Sequence, residues 1–177
     1  MPDHEPDQKV ERFLQNLSAL NAGGKAKLKR DAGKSIAEAQ SLGLFYRLLP
    51  HGVSEAQEEI YFLLATLYPM AESGGSGNFG SSLRCARNRD PKNHKGLDRR
   101  VEILLDSDTT QLPFRLRQAV RFLKSNDVPV NWQKLLRDLT RWRWHYTQKE
   151  WARAYFGLPQ TPADEGTTVL IETGTIS

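Results

Sequence analysis

Cysteine is nearly absent from this 177-residue sequence: only Cys85 is present. An intrachain disulfide and a cysteine-rich zinc site are thereby excluded. Long hydrophobic runs are missing too. The longest, Ile60 to Tyr68, is nine residues, under half of the roughly 20 that a bilayer-spanning helix needs. The N-terminal MPDHEPDQKVE is polar and acidic, without the apolar core of a signal peptide, so a soluble cytoplasmic protein is expected. The four histidines, His4, His51, His94 and His145, share no metal-ligand spacing, and no metal or other cofactor is expected. Apolar residues are lean at 38%, yet seven Phe, five Tyr and four Trp supply a core.

What is there reads almost entirely as helix. Val10, Phe13, Leu14 and Leu17 recur at i, i+3, i+4, i+7, predicting an amphipathic helix over 7–20 that Gly23-Gly24 closes. A short basic helix is expected over Lys25 to Ala32 and an apolar one over Ser41 to Leu49. Ser54 with Gln57 spells a capping box before a helix carrying Ile60, Leu63, Leu64 and Leu67. Further helices are expected over 79–88, 95–106 and 112–124, then from Asn131 through Trp142, and from Thr147 onward. Trp132, Trp142 and Trp151 are read as core, leaving Trp144 as the one tryptophan open to solvent. The fold class is all-α, two helical clusters joined by a Gly/Ser-rich linker. The divisions are an acidic N-terminal cluster over 1–71, a flexible linker over 72–78, a basic bundle over 79–156 and a flexible tail over 157–177, in which Val169-Leu170-Ile171 has strand character.

Motifs of familiar chemistry fail on context. Gly33-Lys34-Ser35 resembles the end of a P-loop, but Leu28 stands where the first glycine belongs. Gly75-Ser-Gly77-Asn-Phe-Gly80 spells the dinucleotide fingerprint, but no strand leads into it. Asp106 and Asp108 sit where a helix ends, which suits capping. Cys85 has no base to activate it, and His145 among tryptophans reads as packed or stacked. No catalytic constellation remains, so no enzyme is expected.

Charge is the positive signal. The net +4 divides into +4 over residues 25–34, +9 over 79–153 and −9 elsewhere. Segregation of this kind builds a basic face, and basic faces attract polyanions. Lys25, Lys27, Lys29, Arg30 and Lys34 form one cluster, and Arg84, Arg87 and Arg89 another. Arg99 and Arg100 head a third helix. Arg117, Arg121 and Lys124 repeat at i, i+4, i+7 beside a leucine face, and Arg137, Arg141 and Arg143 follow. Guanidinium forks suit phosphate, and stripes of nearly pure Arg/Lys favour backbone contact over base reading. The candidate nucleic-acid-binding residues are therefore Lys27, Lys29, Arg30, Lys34, Arg84, Arg87, Arg99, Arg100, Arg117, Arg121, Lys124, Arg137, Arg141 and Arg143. A stand-alone, sequence-nonspecific helical DNA- or RNA-binding protein is the alternative that these features leave open.

Ordered short motifs add a resemblance. Asn78-Phe-Gly80-Ser-Ser-Leu83, Leu97-Asp-Arg-Arg100 through Asp108, Leu112-Pro-Phe-Arg through Lys124, Val130-Asn-Trp132 through Leu139 and Trp151-Ala-Arg153 follow one another. Upstream stand Lys27-Leu-Lys-Arg30-Asp-Ala-Gly33 and Phe45-Tyr-Arg-Leu-Leu49-Pro. Together, over roughly residues 9–156, they resemble the CasB family, the small subunit of the type I-E CRISPR surveillance complex Cascade. The resemblance implies an all-α, non-enzymatic subunit present as two copies beside the large subunit and the guide-bearing backbone subunits. It also implies a basic face that helps hold the crRNA–target region and the displaced non-target DNA strand. Arg30, Arg100 and Arg121, with the Arg141/Arg143 region, match the family's phosphate-contacting positions.

Overall fold

The computed structural model describes residues 4–157. The tail expected beyond Gly157, including Val169 to Ile171, lies outside them. The helices are α1 (His4–Ser18), α2 (Ala22–Lys29), α3 (Leu42–Leu48), α4 (Glu55–Leu67), α5 (Phe79–Arg89), α6 (His94–Leu105), α7 (Leu112–Ser125), α8 (Trp132–Thr140) and α9 (Tyr146–Phe156). Four single 3-10 turns punctuate them, at Ile36–Glu38, Tyr68–Met70, Pro91–Asn93 and Trp142–Trp144. Among the described residues the only β pairing is an isolated bridge between Ser73 and Val130. The expected all-α class is the observed one.

Three local details differ from expectation. Gly23 and Gly24 do not close α1; they lie in the first turn of α2, because the Asn21 side chain accepts the Gly24 N–H (2.8 Å) and starts a new helix there. That shifts the basic helix three residues toward the N-terminus. Ser54 precedes α4 without a side-chain cap. The Ser–Glu cap forms instead at Ser35, whose N–H (3.3 Å) and hydroxyl (3.2 Å) both donate to the Glu38 carboxylate. Trp142 is buried, as its place in the leucine pattern implies, but α8 has already ended and it sits in the next 3-10 turn.

Leucine and aromatic faces from both ends of the sequence meet in one contiguous core. Phe13 and Leu17 of α1, Phe45 of α3, Phe62 and Leu64 of α4, Leu116 and Val120 of α7, and Leu135 and Leu136 of α8 belong to it. Each such side chain contributes about 1.5–3 kcal/mol by leaving water. Trp151 anchors the C-terminal end, its ring 5.0 Å from Phe79 and 5.1 Å from Trp142. Here α5 and α9 cross so closely that a Cβ on Gly80 would lie 2.3 Å from the Trp151 carbonyl oxygen.

The Gly/Ser segment 72–78 runs beside the loop that leads into α8. Val130 N–H donates to the Glu72 carbonyl (2.8 Å), and Asn131 Nδ2 donates to the Gly77 carbonyl (3.3 Å). A Cβ on Gly75 would lie 2.6 Å from the Pro129 carbonyl oxygen, so close backbone approach accounts for that glycine.

Candidate nucleic-acid interface

The basic face is built around α7. Leu112, Leu116, Val120 and Leu123 turn one side of this helix into the core, so the period of 3.6 carries Arg117, Arg121 and Lys124 to the outer side. Pro113 in the first turn and Asp108 before it fix where the helix starts. The Asp108 carboxylate accepts the N–H groups of Thr110 and Gln111 (both 2.9 Å) and the Thr110 hydroxyl (2.6 Å). Those bonds, the Thr110 hydroxyl foremost, hold the carboxyl below its usual range. Asp108 therefore holds the turn that leads into α7, while Gln111, directly before the helix, makes no side-chain cap.

Two grooves flank the outer side of α7. One, of about 430 Å³, is lined by Lys29, Met70, Arg117, Arg121, Lys124 and Ser125. It brings the N-terminal basic cluster against the α7 stripe, a juxtaposition of residues some 90 positions apart in sequence. The other, of about 270 Å³, lies toward α6 and has Arg100, Arg115 and Arg121 around apolar residues that include Val101, Leu104 and Phe122. Arg121 borders both grooves, so they join into one cationic band. Arg117 is half-buried, its stem against Gly33, where a Cβ would lie 3.0 Å from its Cδ; its Nε is buried without a hydrogen-bond partner. Lys124 makes an ion pair with Glu72 (3.3 Å) in which both side chains are more than half exposed. Solvent screens such a pair, leaving the ammonium available to a stronger anion.

Other candidates hold the fold together. Arg87 donates through Nε and Nη2 to the two oxygens of Asp98 (2.8 and 3.1 Å), and Tyr155 donates its hydroxyl to the same carboxylate (2.7 Å). The guanidinium, first, and the phenol hold Asp98 below the usual carboxylate range, while burial opposes them. Burial and the Asp98 contact together push the Tyr155 phenol well up. This cluster ties α5, α6 and α9 together. Arg137 pairs with Asp7 of α1 (2.8 Å), and Arg84 donates to the Gly157 carbonyl.

Lys34 donates to Asp31 (3.0 Å), a fully buried carboxylate that also accepts the Ser41 hydroxyl (2.6 Å) and the N–H groups of Gln40 and Ser41 (both 2.9 Å). Burial raises this carboxyl, but those four donors outweigh it and hold the group below its ordinary value. Asp31 thereby fixes the turn that follows α2, and with it the placement of Lys29.

Lys27 and Arg30 are exposed on α2 and its C-cap, and Arg99 is exposed on α6. Arg141, the C-cap of α8, and Arg143, in the 3-10 turn that follows, are exposed and line neither groove. Arg115 belongs to the band and was not among the sequence candidates. Its signal was present, since Arg115, Gln118 and Phe122 recur at i, i+3, i+7 on the α7 side facing α6. Trp132, Trp142 and Trp151 are buried and Trp144 is 74% exposed, as read from the sequence. His145, expected to be packed, is exposed with φ +55°, in the left-handed region. The chain needs that conformation to turn sharply from the 3-10 turn into α9. Among the described residues no cluster of His, Cys, Asp and Glu can hold a metal ion, and no helix is long and apolar enough to cross a membrane.

This arrangement has relatives. The family model for CRISPR-associated protein Cse2 matches residues 24–156. A CRISPR-associated protein Cse2 from Thermus thermophilus is 30% identical over 157 residues, covering 83% of this chain and 89% of its own length. The crystal structure of M. ruber CasB superposes with a TM-score of 0.68 at 27% identity, over 84% of this chain and 92% of its own. A chain of a CRISPR RNA-guided surveillance complex superposes with a TM-score of 0.73 over 85% of this chain and 92% of its own. At 22% identity that likeness speaks to the fold.

Proposed function

The chain belongs to the Cse2 family of CRISPR-associated proteins, and on that premise we propose that it is the non-catalytic small subunit of a type I-E Cascade complex. Its partners in that role are a second copy of itself, the large subunit, the backbone subunits, crRNA, and the target and non-target DNA strands. The observation that carries the reading is the cationic band in which Lys29, Arg117 and Lys124 join Arg100 and Arg115 through Arg121. Grooves of this kind accept the phosphates of a strand one after another and do not read its bases. Strand exchange between guide RNA and duplex DNA is nearly balanced in free energy, so contacts that hold the separated strands tip it toward the open R-loop.

Co-expression with the other Cascade subunits and crRNA tests this reading. The wild-type chain is expected to co-purify with them. A complex carrying Arg100→Glu/Arg121→Glu is expected to assemble normally but to open a matched DNA duplex at least tenfold less effectively. A chain that stays outside the complex yet binds nucleic acid alone contradicts the subunit reading and leaves the stand-alone binder. A variant complex that opens DNA as well as wild type contradicts the role of the band.

A further inference from the structure

One surface stands apart from the two grooves. The turn between α8 and α9 carries Trp144 and α9 opens on Tyr146, respectively 74% and 60% exposed, with Arg141 and Arg143 exposed beside them. Aromatic side chains of this size are normally buried, and the other three tryptophans are. Their exposure is built in. Trp142 Nε1 donates to the Ser107 carbonyl (3.0 Å) and Gln148 Nε2 to the Trp142 carbonyl (2.8 Å), which pins the turn from below. The left-handed His145 then separates Trp144 from α9. Among the described residues no carboxylate pairs with Arg141 or Arg143, so the patch is both aromatic and cationic. Ser107 lies in the loop between α6 and α7, so this contact ties the turn to the segment that leads into α7.

We propose that this turn is a base-contacting subsite for single-stranded nucleic acid. An unpaired base stacks on Trp144, with Tyr146 as its neighbouring aromatic surface, while Arg141 and Arg143 meet the flanking phosphates. Every base has a π-face, so stacking holds a strand without reading its sequence, and it requires that the base be unpaired. This property is one that the cationic band lacks: phosphate contacts do not distinguish a single strand from a duplex by its bases. The inference rests on the nucleic-acid-binding part of the function proposed above and adds to it a chemical preference for separated strands.

Trp144 is its own reporter, because the other tryptophans are shielded from solvent. In the 177-residue chain, titration with a thymidine oligonucleotide is expected to quench tryptophan emission, while a duplex of equal length binds without that quench. Trp144→Ala is expected to abolish the quench and weaken single-strand binding about tenfold, with duplex binding unchanged. Tyr146→Ala weakens single-strand binding less. Trp144→Phe restores most of the affinity. Circular dichroism checks that each variant keeps its helical content.

Binding seen by anisotropy without any quench overturns the proposal. So does a Trp144→Ala variant that binds single strands normally but no longer joins the other Cascade subunits, because the turn is then a protein-docking surface. Absence of oligonucleotide binding even at low salt overturns it as well. Arg100→Glu/Arg121→Glu separates the two claims: a quench that persists with unchanged affinity in this variant contradicts the band and supports the turn.

Discussion

Asp31 shows how a single buried carboxylate fixes the chain beside the candidate interface without lining it. It satisfies four donors and fixes the turn after α2. Asp31→Asn keeps the shape but loses the charge, and hydrogen bonds to charged groups are the stronger kind. The variant is expected to be about 2–3 kcal/mol less stable at pH 7 by denaturant unfolding. The pH dependence follows from the sign of the shift. The folded carboxyl lies below its unfolded value of 3.8, so its stabilisation is complete above that value and disappears as pH falls through the folded one. The gap between wild type and Asp31→Asn should therefore narrow below about pH 4, and a gap that widens there contradicts the assignment. Gly80 is a second residue-scale test. Gly80→Ala drives a methyl into the Trp151 backbone and is expected to cost about 1–3 kcal/mol through overpacking, read as a lowered melting temperature.

Among elements, α7 carries two faces whose properties separate cleanly. Removing leucines from its inner side is expected to destabilise the core, whereas removing the exposed Arg121 from its outer side is expected to change binding at unchanged stability. Each phosphate contact on a single strand contributes roughly 0.7 to the slope of log affinity against log salt. Arg100→Ala/Arg121→Ala is therefore expected to lower that slope by about 1.4 at unchanged thermal stability. Arg87→Ala provides the contrast, because its guanidinium is already engaged by Asp98. It should lower stability and leave the slope where it was. A slope that drops with Arg87→Ala would place that arginine on nucleic acid.

The helices themselves were legible in the sequence, since apolar residues at a period of 3.6 dictate which side of each is buried. The difference between Arg121 and Arg87 was not. Both lie in basic helices, and the carboxylate that engages Arg87 comes from another helix. The partner of Arg137, Asp7, stands at the opposite end of the sequence. Spacing along one helix carries no information about a charge delivered by a second. The boundary at Asn21 escaped for a related reason: a side-chain cap on the next helix outweighed two glycines that read locally as a stop.

At the scale of the whole molecule, the segregated charges of the sequence become a surface. Tertiary packing brings Lys29 of α2 alongside α7 and places Arg100 of α6 on its other flank, so clusters separate in sequence act as one band. The aromatic turn lies outside both grooves, tied by the Trp142–Ser107 contact to the loop before α7. The strand-holding role proposed above calls for this division: a helical body that carries a cationic track.

The most direct test of strand holding by the band is fluorescence anisotropy with labelled single-stranded DNA, duplex DNA and RNA across a salt series. Wild type is run beside Arg100→Glu/Arg121→Glu. Sequence-independent binding is expected that weakens steeply with salt and falls at least tenfold in the variant, with melting temperature unchanged. Equal affinity and equal salt slope in the two proteins would contradict it.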